Sequence, residues 1–173
     1  AVAARARVIV YNTRCLSREQ VPKTLEELTG PQWRGRVAIA SPQFGTTRTH
    51  VAALFAVWGP DRAQRWLRAL LANEVRIVDG NAMVKNLVAR GAPDSPGVWL
   101  GLTDTDDVVA GQADGQPLAM VYPDQAGMGT LVVPTTIGLI RGGPHPEAAR
   151  SLIDFLAGPE AERALIEGRG AFF

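Results

Sequence analysis

Val37-Ala38-Ile39-Ala40, then Ser41-Pro42-Gln43, then Phe44-Gly45-Thr46-Thr47-Arg48, then a stripe of Val51, Leu54, Phe55 and Trp58 follow one another without a break. A short apolar run bounded by turn residues reads as a buried strand, and apolar positions three and four apart read as a helix. A strand that passes into a helix through Gly-Thr-Thr aims several backbone N–H groups, two hydroxyls and one guanidinium at a single small volume. The stretch predicts a pocket for an anionic or oxygen-rich group on an α/β scaffold.

The same order recurs outward from it. Residues 5–12 are β-rich and alternate, and a polar connector leads to a short helix at Leu25-Glu26-Glu27-Leu28 and a turn over Pro31 to Gly35. After the helix ending at Trp58, Gly59-Pro60 restarts a second helix over Asp61 to Leu71. Val75-Arg76-Ile77-Val78 is a short strand, and Asp79-Gly80-Asn81 opens a helix carrying Met83, Val84, Leu87 and Val88. Val98 to Leu102 is another strand, Thr103-Asp104-Thr105-Asp106-Asp107 leads into a helix over 105–113, and Leu118 to Tyr122 is a strand again. Strands alternating with helices predict parallel β-α-β units and helices on the sheet faces. Past Pro123 the sequence predicts a flexible link over Gln125 to Thr130, strands near 131–133 and 136–141, and two proline-opened helices, Pro146 to Ala157 and Pro159 to Glu167.

Composition narrows the function classes. At 173 residues and 46% hydrophobic content the chain can bury a core as one domain or two small lobes. A formal charge of +1 gives no field that would hold nucleic acid, which is not expected as a partner. Cys15 stands alone, so neither an internal disulfide nor a cysteine zinc site forms. A strand beginning almost at Arg7 and an ending on Ala171-Phe172-Phe173 read as a piece of a longer chain.

Three segments distant in sequence share one position in the fold: Gly45-Thr46-Thr47-Arg48, Asp79-Gly80-Asn81 and Thr103 to Asp107 each follow a strand and open a helix. In parallel α/β sheets the strands' carboxyl ends share an edge, and ligands bind in the crevice there. Taken singly, Asn81 and Thr103 or Asp104 also read as helix caps and Gly45 as a turn residue. Asp104-Thr105-Asp106-Asp107-Val108 matches the Asp-x-Asp-x-Val pattern of haloacid-dehalogenase-type phosphatases, whose first aspartate is a nucleophile. That reading needs a downstream lysine or an arginine in its place, and no lysine follows Lys85; about three strands also precede a motif that belongs on the first. Gly127-Met128-Gly129 lacks the third glycine of a dinucleotide fingerprint, and His50 and His145 have no ligand partners at metal spacing. No catalytic residue and no cofactor is expected; the sequence points to binding rather than to an enzyme.

The order of segments carries a resemblance. Pro31-Gln32-Trp33-Arg34-Gly35-Arg36-Val37-Ala38-Ile39-Ala40-Ser41-Pro42, the Gly-Thr-Thr-Arg turn, Gly101 to Asp107, Val121-Tyr122-Pro123-Asp124-Gln125, Pro144 to Ala149 and Leu152 to Leu156 together resemble bacterial extracellular solute-binding proteins of ABC importers, in the ferric-iron-binding branch. The resemblance implies a type 2 periplasmic-binding fold: a three-layer αβα lobe with a mostly parallel sheet, plus part of a second lobe. It assigns residues 1–13 to a crossing strand of an incomplete first lobe, 14–117 to a complete ligand-binding lobe, and 118–173 to the return strand and C-terminal helices of the first lobe. About a hundred residues, the size of a small domain, would precede Ala1.

The implied function is the ligand-binding component of an importer, closing on a small solute between lobes and presenting a surface to a membrane permease. The implied location is periplasmic or extracellular, lipid-anchored in some settings, with the signal segment removed. The resemblance places an anion-holding turn at Gly45, Thr46 and Thr47, with Asn81 on a second anion-contacting segment. Arg48 and Asp104 join them as candidate ligand residues. Iron-binding members carry paired tyrosines where this chain has Asp106 and Asp107, which become the candidate metal donors. The solute is then a metal ion such as Fe3+ with or without an anion, a small anionic organic solute, or a cationic solute that the aspartates neutralise. An effector domain of a transcription regulator is the alternative that reuses this architecture. Self-association through exposed lobe surface is a further expectation.

Overall fold

The computed structural model describes residues 3–167; the sequence readings on Ala1-Val2 and on Ala171-Phe172-Phe173 lie outside them. Fourteen elements include six strands, β1 (Ala3–Asn12), β2 (Val37–Ala40), β3 (Arg76–Val78), β4 (Leu100–Asp104), β5 (Leu118–Val121) and β6 (Val132–Thr135). The α-helices are α1 (Gly45–Trp58), α2 (Pro60–Ala72), α3 (Asn81–Ala89), α4 (Thr105–Ala113), α5 (Pro146–Leu156) and α6 (Pro159–Glu167). Two short 3-10 helices, Glu26–Thr29 and Pro31–Trp33, fill the connector before β2.

The main sheet runs β3-β2-β4-β1-β5. β2 is parallel to β3 and to β4, whereas β1 is antiparallel to both β4 and β5. Four strands of this path therefore share a direction and β1 alone runs against them, so the sheet is mostly parallel in direction but mixed in its pairings. Both faces are covered. On one, Ile9, Tyr11, Val37, Ile39, Leu100 and Leu102 pack with Leu54 of α1 and Ala63, Trp66 and Leu70 of α2. On the other, Val8, Val10, Ala38 and Ala40 pack with Val84 and Val88 of α3 and Val108 of α4. Successive residues of a strand face opposite sides, so a sheet buried on both demands the unbroken apolar runs seen in β1 and β2. This is the three-layer αβα arrangement.

Two residues fix how tightly α3 lies on the sheet. A Cβ built on Gly101 of β4 would stand 2.4 Å from Val84 Cγ1 and 3.1 Å from the Ala38 carbonyl, so only glycine admits α3 at this depth. At the far end of the helix the buried Asn12 donates through Nδ2 to the carbonyls of Val88, Ala89 and Gly91, which have run out of helical partners.

The chain divides into two compact units. One spans Ala6–Leu131 and contains β2 to β5, α1 to α4 and β1 from Ala6 onward, so both predicted crossing strands lie in it. In it, the predicted link over Gln125 to Thr130 closes on itself: Gly127 and Gly129 both donate to the Asp124 carbonyl, and Gln125 donates to Thr130 Oγ1. The other unit takes in 132–167 with the first residues of β1. Its strand β6 carries Pro134, and the second strand expected at 136–141 does not form. That segment runs without a ladder partner, as a glycine-containing stretch with nothing to pair with would. Helix α5 has no buried residue among those described, and Ile140, Leu152 and Phe155 stand 80%, 57% and 57% exposed.

Candidate functional site

The parallel β2, β3 and β4 end at one edge, and each is followed by a helix: β2 by α1 after the turn Ser41 to Phe44, β3 by α3 after Asp79-Gly80, and β4 by α4 with no residue between. Gly45 opens α1 with φ +63°, Gly80 precedes α3, and Asp104 ends β4. None of the three helix starts has a side-chain cap hydrogen bond. The helix-cap reading of Asn81 and Asp104 is therefore corrected, because their side chains turn to another partner.

That partner is Arg7. β1 runs against β4 in a register that sets Arg7 opposite Asp104, and the arginine is fully buried. Its Nη1 donates to Asp104 Oδ1 at 2.7 Å and to Thr46 Oγ1 and Asn81 Oδ1 at 3.2 Å, and its Nη2 donates to Thr47 Oγ1 at 3.3 Å. Asp104 Oδ2 accepts from Thr46 Oγ1 at 2.7 Å and from Asn81 Nδ2 at 2.9 Å. Four of the predicted residues thus gather around one guanidinium that the sequence reading did not single out. Gly45 is exposed at the head of the same turn. Arg48 is exposed and takes no part in the cluster: Thr47, His50 and Leu54 form the buried stripe of α1, and Arg48 lies off it.

Asp104 is 1% exposed with both oxygens accepting hydrogen bonds, which removes the nucleophile the phosphatase reading requires. Asp106 and Asp107 occupy the first turn of α4, both half-buried. Carboxylate oxygens of Asp104, Asp106 and Asp107 lie within 4.8 Å of one another. Thr103 Oγ1 donates to Asp107 Oδ2 at 2.9 Å, and burial, more than the neighbouring Asp104 charge, pushes the Asp107 carboxyl above its ordinary range.

His50 lies behind the cluster, 4% exposed. Burial, with the Arg7 charge second, lowers its pKa to about 3. Between that value and the unfolded pKa of about 6.5 the unfolded chain binds the proton that the native state refuses. Stability should therefore fall as pH falls through this window, by up to about 1.4 kcal/mol per pH unit. Asp107, raised in the folded state, opposes this near the carboxylate range, so the clean measurement is the difference between the parent and His50→Gln in urea midpoints from pH 7 to 4. The parent should lose more stability over that range than the variant, and parallel curves would contradict the assignment.

The chain as a whole is similar to known proteins. A family model described as bacterial extracellular solute-binding protein matches residues 1–172. Iron uptake protein A1 of Synechocystis is 29% identical over 94% of this chain and 46% of its own length. The Fe(3+)-binding periplasmic protein of Serratia marcescens is 29% identical over 95% of this chain and 48% of its own. The chain spans about half the length of these curated relatives. Among solved structures, a Trichodesmium protein, IdiA or FutA, in complex with iron and citrate ligands superposes with a TM-score of 0.80 at 25% identity, over 96% of this chain and 54% of that one.

Proposed function

The chain belongs to the bacterial extracellular solute-binding protein family, and we propose that its strand-end edge is one wall of a solute site that takes a hard metal cation, with Fe3+ the first candidate. The observation that carries this reading is the acidic group at the start of α4. Asp104 is paired with Arg7, and Asp106 and Asp107 bring two more carboxylates to the same edge, with oxygens of all three within 4.8 Å of one another. Carboxylates are hard oxygen donors and suit a hard cation. Two of them supply at most four of the six donors of an octahedral site, and the others come from water, an oxygen-rich partner of the metal or other protein groups. Two relatives named for iron uptake or Fe(3+) binding favour the ferric ion over other cations. With the family come the further proposals of a periplasmic or extracellular location and hand-over of the solute to an ABC permease.

Titration of the protein carrying this chain with Fe3+ buffered by citrate, followed by charge-transfer absorbance and melting temperature, tests the reading. Saturable binding is expected, weakened at least about tenfold by Asp106→Ala or Asp107→Ala, since a lost charged ligand costs more than 1.4 kcal/mol. No binding, or binding that the double variant leaves intact, would exclude a metal site at α4.

A further inference from the structure

The strand-end edge is built to attract an anion. Three helices begin there without side-chain caps, and helix N-termini carry partial positive charge and free N–H donors. Arg7 adds a full charge in a place with no solvent, and its Nε is buried without a hydrogen-bond partner. What fills this cradle is a group of the chain itself. The Asp104 carboxylate takes Arg7 on one oxygen and Thr46 and Asn81 on the other, at 2.7, 2.7 and 2.9 Å. That is the hydrogen-bond pattern a bound carboxylate or carbonate would receive, and it uses the same donors.

We infer that Asp104 is the resident anion of this site: the cradle of Arg7, Thr46 and Asn81 is filled by a carboxylate from the end of β4, so a cation binds at Asp106 and Asp107 with no anion from solution seated in the cradle. Where the cation sits rests on the solute-binding reading above. Occupancy of the cradle does not, and it can be measured with no metal present. The inference also recasts the anion-holding turn expected at Gly45, Thr46 and Thr47. Its hydroxyls are engaged with Arg7, Asp104 and Asn81, and a free oxyanion would have to displace an internal one.

The test is chemical rescue. Asp104→Ala empties the cradle and leaves Arg7 unpaired. Formate, acetate or bicarbonate in metal-free buffer should then raise the melting temperature of the protein carrying this chain by about 5 °C over chloride of equal ionic strength. The parent should shift by less than about 1 °C, and Arg7→Met/Asp104→Ala should not respond. If the single variant does not fold in chloride, its recovery of native circular dichroism on refolding in formate replaces the melting shift. A parent stabilised as much as the variant would overturn the inference. So would a variant that none of the three oxyanions rescues. Failure of Fe3+ binding beside successful rescue would strike only the solute reading.

Discussion

Replacing Arg7 with methionine is expected to lower the free energy of unfolding by about 3–5 kcal/mol, because it strands a buried carboxylate. Asp104 is 1% exposed and Arg7 is not exposed at all. Water cannot move in to solvate the orphaned charge, and Thr47 loses its donor together with Asp104. Methionine fills much of the arginine volume, so the loss is electrostatic rather than a cavity. The control is Arg7→Met/Asp104→Leu: removing both charges should recover most of the stability, since an apolar pair of similar volume is often neutral relative to a buried ion pair. Urea denaturation of the three proteins distinguishes these outcomes. A single variant within 1 kcal/mol of the parent would show that Asp104 reaches solvent or takes up a proton at little cost.

Gly101→Val is the second large effect, with about 3 kcal/mol of destabilisation expected from overpacking. The added Cβ would fall 2.4 Å from Val84 Cγ1, 3.1 Å from the Ala38 carbonyl and 3.3 Å from Val88 Cγ2. Val84 and Val88 are fully buried, so neither can swing aside, and α3 must lift from the sheet. Because α3 also carries Asn81, the strain should reach the Arg7 cluster. Gly127→Ala is the matched control: its nearest atom to a built Cβ is 3.7 Å away, and it should change stability by less than about 0.5 kcal/mol.

The helix-opening turn after β2 was legible because a short apolar run and a helical stripe stand on either side of a few turn residues, Ser41 to Phe44, with Gly45 opening the helix. The same logic located Thr46, Thr47, Asn81 and Asp104 at one edge, since strands of like direction end together. Arg7 was less visible. It sits in a strand that reads as β-rich and alternating, yet the uninterrupted run Val8-Ile9-Val10-Tyr11 signals burial on both faces. A strand without a solvent face has nowhere to put a guanidinium except against an acid, and Asn12 at the other end follows the same rule. Arg48 drew attention as a nearby charge, but one helical step from Thr47 carries a side chain about 100° around the axis and out of the cluster. The segment over 136–141 has a strand's composition without a neighbour, and pairing partners are a tertiary property that a local pattern does not contain.

Arg7 and Asn12 together give β1 a place in the order of synthesis. One end of this strand waits for Asp104, 97 residues later, and the other for the carbonyls of Val88 to Gly91, 76 to 79 residues later. At about 5–20 residues per second a ribosome needs several seconds to supply them. Through that interval β1 is an apolar ribbon with a solvated arginine. That charge keeps the nascent segment hydrated until β4 arrives to enclose it.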